Sequence, residues 1–168
     1  MASSSHVREF YSEWSPTIAS FLRLYLGDRE RANADAIDVF CEYMATGMPL
    51  DTTDMPIVLW ECAVDLARSA DRRPQRAAGT SEFESAILFL PADQRLIFLL
   101  HSVFTLPTLW IALITGLPAG DVRALSTHSS QTMRILLGFP ATTPSSVVET
   151  YAVCQRSAVI RQGDLPQL

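Results

Sequence analysis

The sequence predicts an all-α protein: two small helical bundles joined by a linker. Three observations carry that expectation. Apolar residues return at steps of three and four in one stretch after another, the period of a helix with one buried face. No stretch keeps the period-two alternation of a half-buried strand for more than a few residues. A polar run with proline and glycine, RPQRAAGTS over Arg73–Ser81, divides the chain near its middle.

The first helix is expected over Ser5–Leu26, where Phe10, Trp14, Ile18, Phe21 and Tyr25 fall on one stripe before Gly27 ends it. Asp28 suits the N-cap of a second helix reaching Ala45, with Ala32, Ala36, Val39, Phe40 and Tyr43 on one face. Gly47 and Pro49 stop that helix, and Met48–Asp54 has the chemistry of a loop. Pro56 fits the first turn of a third helix running to Arg72 or Arg73, with Leu59, Ala63, Leu66 and Ala70 inward. These three helices close the first bundle, residues 1–73, and residues 74–81 form the linker. A short helix over Glu82–Leu90 opens the second bundle, residues 82–138. Pro91, Pro107 and Pro118 open three more helices, reaching Phe104, Ile114 and Leu137, and Gly138 closes the last. The tail over 139–168 begins with the loop PATTPSS at residues 140–146. It continues as an amphipathic stretch, Ser145–Ile160, carrying Val147, Val148, Tyr151 and Val159.

Apolar residues make up 48% of the 168 and charged residues 18%, enough for a core and unlike a disordered chain. The net charge is -5, and there is no lysine, so the cations are arginines. Eight arginines stand against twelve acids up to Thr80 and five against six beyond it. Neither half is basic, which weighs against a dedicated nucleic-acid binder. Cys41, Cys62 and Cys154 are odd in number and far apart, arguing for packed, reduced thiols in a cytoplasmic protein over a disulfide framework or zinc site. Met1–Arg8 has no apolar core of a secretory signal. Leu96–Leu117 lacks charged residues and is long enough to span a bilayer, but Pro107 interrupts it and polar residues are spread through it. Two buried helices meeting at a proline explain it. His6, His101 and His128 are too scattered for a metal site, and no phosphate loop, nucleophile elbow or paired-carboxylate motif appears. No cofactor, metal or catalytic activity is therefore expected.

Three stretches carry a resemblance to a known family. The first is GDRERA over Gly27–Ala32, followed by Asp35, Asp38 and Phe40. The second is LWECAVDLARSADRR over Leu59–Arg73. The third is LPADQRLIFLLHSVF over Leu90–Phe104, continuing into TLPTLWIALITGLPAGDV over Thr105–Val122. In order and spacing, from about Phe10 to Leu137, the chain resembles a bacterial sigma factor of the short, two-domain extracytoplasmic-function type. The resemblance implies a region-two-like bundle over 1–73 and a region-four-like domain with a helix-turn-helix over 82–138. Ala112, Gly116 and Val122 stand at the offsets of that motif: a small residue for a close crossing, a glycine for the turn, an apolar residue to dock the second helix. A helical hairpin with no DNA role has the same skeleton.

The resemblance also implies partners, RNA polymerase core and promoter DNA, and roles for residues. Asp35 and Asp38 would meet the polymerase clamp, or else form a solvated acidic face. Trp60 would stack a promoter base in the melting helix, or lie half-buried. Arg68, Arg72 and Arg73, with Arg76, would meet phosphate, or cap a helix carboxy terminus. Arg123, Ser126, Thr127 and Arg134 would lie on the recognition helix, or on an ordinary exposed face. The chain departs from the family at many of these places. Asn33, Ala34 and Ile37 replace an acid pair and a glutamine, and Glu61, Val64 and Asp65 replace basic or polar residues. Leu125 and His128 replace arginines, and Trp110 replaces an acid. From Ala119 to Leu137 the only cations are Arg123 and Arg134, although phosphate contacts supply most of the affinity of such modules. Two functions of different classes follow. One is a sigma-like transcription initiation protein that binds polymerase core and promoter DNA. The other is a sigma mimic that binds a protein, such as an anti-sigma factor, without reading DNA.

Overall fold

Every apolar stripe has to be covered by another, and eight α-helices cover one another without a strand among the described residues. The structure, a computed structural model, describes residues 4–50, 52–70 and 80–163. Arg72, Arg73, Arg76 and residues 74–79 of the expected linker lie outside the described residues.

Helix α1 (Ser4–Leu26) runs straight through Pro16, and the Ser20 hydroxyl donates to the Pro16 carbonyl at 2.6 Å. Gly27 takes the left-handed conformation, φ 74°, that ends it. Helix α2 (Ala32–Ala45) begins later than expected, because the Asp28 carboxylate accepts from the Arg31 N–H at 3.0 Å and closes a turn ahead of the helix. Asp28 is thus not the N-cap, a position Arg31 takes. Phe10 of α1 meets Phe40 and Tyr43 of α2, with ring centroids 5.3 Å apart in each case. Helix α3 (Met55–Ser69) has Pro56 in its first turn and ends before Arg72, where Ala70 turns extended.

In the second half, Ser81 caps α4 (Glu82–Phe89): its hydroxyl accepts from the Glu84 N–H, and the Glu84 carboxylate accepts from the Ser81 N–H. Helix α5 (Ala92–Phe98) widens into a π-helical turn at Leu99–Val103. Thr105 follows with φ 56°, a left-handed conformation costly for a β-branched residue. Helices α6 (Thr108–Thr115) and α7 (Ala119–Leu136) are joined by a three-residue turn in which Gly116 takes φ 72°. Helix α8 (Ser145–Gly163) buries Val148, Ala152 and Val159, and sets Tyr151 between Phe83 and Phe139.

The two halves meet in one continuous core. Helix α1 packs on α4 and α8, and α3 packs on α6. Phe104, from the segment after the π-helical turn, sits 6.0 Å from Phe21 and 5.2 Å from Trp60, ring to ring. Arg23 of α1 pairs with Glu84 of α4 at 2.5 Å, both side chains nearly closed to solvent. Arg68 at the end of α3 donates to the Thr115 carbonyl of α6 at 3.4 Å. No helix among the described residues is long and apolar enough to cross a membrane. The charge-free stretch instead divides into α5, the π-helical turn and α6, hinged at Pro107.

Candidate functional site

The α6–turn–α7 pair is the place where the resemblance puts DNA recognition. Ala112 lies half-buried on the first helix, Gly116 is in the turn, and Val122 is fully buried at the start of the second. The inward face of α7 is Val122, Ser126, Ser129, Ser130 and Met133. Arg123 and Thr127 point to solvent, and the Thr127 hydroxyl donates to the Arg123 carbonyl at 3.0 Å. Arg134 is half-buried and donates to the Thr143 carbonyl at 3.3 Å, in the loop before α8. Ser126, by contrast, is only 5% exposed, and its hydroxyl sits 2.9 Å from His101 Nδ1 in the π-helical turn. A recognition role for Ser126 needs a side chain open to the groove, and this one is spent on the core. Leu125, where the resemblance would have an arginine, is half-buried against that core.

The resemblance sets helix α3 against the promoter-melting helix of that family. Trp60 is 1% exposed and stands edge-on to Phe21 at 5.3 Å, with Phe104 behind it. The stacking role expected for Trp60 requires a ring at the protein surface, and this one is buried. Of the arginines expected beside it, Arg68 is exposed, while Arg72 and Arg73 lie outside the described residues. The helix is electrostatically wrong for phosphate. Burial, and then the Asp65 carboxylate, raise the pKa of Glu61. Burial, followed by Glu42 and Asp65, pushes the Cys62 thiol up to about 11, which keeps it protonated and inert.

The resemblance sets helix α2 against the clamp-gripping helix of that family. Asp38 is exposed, but Asp35 is 3% exposed and turned in toward its own helix, with its Oδ1 3.9 Å from Arg31 Nη2. Asp35 is therefore a partner of its own chain and not part of an outward acidic face. The outward face is mixed: Asn33, Asp38 and Glu42 are exposed on it beside apolar residues. Ile37 is 49% and Met44 43% exposed, and the exposed Cys41 lies between them at helical spacing.

Sequence reading missed two features. One is the interior charge: Arg23, Glu84 and Arg95 are all buried, and only the capping-box spacing of Ser81 and Glu84 gave a local signal. The other is a cavity of about 350 Å³ whose lining comes from four helices and the segment after the π-helical turn, a conjunction that no local pattern encodes. No three of His, Cys, Asp and Glu gather into a metal-binding group among the described residues. A search of protein-family models finds no match to the chain, and a search of curated proteins finds none either.

Proposed function

We propose that the chain is a sigma-like cytoplasmic protein that works by binding another protein through α2 and does not read promoter DNA. The burial of Trp60 and Ser126 carries this reading: two residues that DNA contact would need at the surface support the core instead. The electrostatics agree. On α7 only Arg123 is a fully exposed cation, with the exposed Asp121 two residues before it. Meanwhile α2 presents Ile37, Cys41 and Met44 with Asp38 beside them, an apolar centre with a polar edge of the kind protein interfaces use. Polymerase core and an anti-sigma factor are the two partners the resemblance suggests.

A pair of measurements tests this. Binding of the full chain to duplex DNA should be weak, around 10⁻⁴ M at physiological salt, and the one free arginine of α7 should contribute about one unit to the salt slope. In cell extract, Ile37→Glu with Met44→Glu should abolish co-purification of polymerase or anti-sigma subunits, with circular dichroism unchanged. Tight, sequence-specific binding with a steep slope would refute the proposal. It would favour the second reading, promoter binding, which the left-handed Gly116 turn between α6 and α7 supports.

A further inference from the structure

All three tryptophans of the chain converge on one cavity. Trp14 comes from α1, Trp60 from α3 and Trp110 from α6, and Phe104 completes the aromatic wall. Its volume of about 350 Å³ is at the small end of the range for ligand sites. Among the described residues, Arg156 of α8 is the only charged one in the lining. It is half-buried, and no ion pair or hydrogen bond of its side chain is present among the described residues.

We propose that this cavity binds a small flat aromatic compound bearing a carboxylate. The ring walls set the shape, since indole and phenyl faces pack best against another planar ring. Aromatic faces alone would also attract a cation, but Arg156 repels one. Its planar fork matches a carboxylate with two parallel hydrogen bonds, and a half-buried guanidinium gains from an anion that the described residues do not supply. The Trp14 indole N–H points to the same chemistry: it is buried without an acceptor, and it can only donate. The proposal does not rest on the sigma-like reading, because Arg156, the residue that selects the carboxylate, lies on α8 beyond the resemblance.

Isothermal titration calorimetry of the full chain with benzoate, 2-naphthoate and indole-3-acetate, each beside its neutral amide, tests the proposal. At least one acid should bind, at least tenfold more tightly than its amide, with tryptophan emission changing in step with the heat. Arg156→Gln should bring the acid down to the affinity of the amide and leave the amide unchanged. Ser157→Phe, placed on the lining, should block both by filling the cavity. The idea is overturned if none of the acids binds at millimolar concentration, or if amide and acid bind equally. Binding that leaves tryptophan emission unmoved, or an unaltered acid affinity in Arg156→Gln, overturns it as well. The comparison of acid with amide needs no variant, so it decides even if a substitution unfolds the chain.

Discussion

Arg95 is a buried cation that meets carbonyls where a carboxylate would be usual. Its Nε donates to the Ile87 carbonyl at 3.3 Å and its Nη1 to Tyr25 at 3.0 Å, while Nη2 reaches Leu88 at 3.1 Å and Leu90 at 2.9 Å. These carbonyls end α4 and α1, where helices lack internal donors and their dipoles are negative. The guanidinium also lies 5.4 Å from the centre of the Tyr25 ring. Burial lowers its pKa and raises that of Tyr25, which the nearby guanidinium partly offsets. Arg95→Ala should cost about 4 kcal/mol by urea denaturation, because the carbonyls of Tyr25, Leu88 and Leu90 lose the guanidinium at once and Ile87 keeps only the Leu90 N–H. Arg95→Lys should recover only part of this, since an ammonium has three donors and no fork. Loss under 1 kcal/mol in the alanine variant would mean that water satisfies the carbonyls. The arginine was visible in the sequence as part of the LPADQR phrase, but its task was not: one carbonyl it serves belongs to Tyr25, far away in sequence. Trp60 is buried, the alternative to its stacking role, and for a related reason more deeply than the half-burial expected. Its burial is supplied by Phe104 from the other half of the chain.

At the scale of elements, helical phase explains what was legible and what was not. The expected inward residues of α1, α2 and α3 largely agree with the observed core, because strong apolar stripes fix the rotation of a helix. In α7 the stripe is weak. Val122 and Met133 lie about three turns apart on one face, and that face necessarily carries Ser126 and Ser129 between them. Serines read as surface residues by polarity alone, yet here their small size lets α5 and α7 pack closely. The π-helical turn was invisible, as the apolar run of Leu96–Val103 fits either winding. Its exit forces Thr105 into the left-handed region while exposing the side chain to solvent. Thr105→Gly should therefore stabilise the protein by roughly 1 kcal/mol, the relief of strain exceeding the added freedom of the unfolded chain. A thermal melt checks this, and a fall in Tm would show that the hydroxyl bond to the Phe104 carbonyl outweighs the strain.

For the whole molecule, the division at residues 74–81 is a division of sequence, whereas the core runs across it. Arg23–Glu84, the Arg95 bond to Tyr25 and the rings of Phe21, Trp60 and Phe104 all join one half to the other. Composition and periodicity carry no information about such long-range pairs, which is why the helices were readable and the shared core of the two halves was not. Residues 1–73 and 80–168 produced together as separate chains should co-elute in size-exclusion chromatography and melt as one unit. Each alone should aggregate or lack a cooperative melt. Two fragments that stay soluble, separate and cooperatively folded would show that the shared core is dispensable.

The contact of α1 with α8 sets the order of events when the protein is made. About 120 residues separate the end of one helix from the start of the other, so their pairing closes most of the chain into a loop. Local helix pairs such as α1 with α2 can form early, but non-local closure is slow. Until α8 has emerged from the ribosome, the faces of Trp14 and Trp60 that line the cavity lack one of their walls. The nascent chain thus carries an aromatic surface through most of its translation, a site suited to a chaperone before it is suited to anything else.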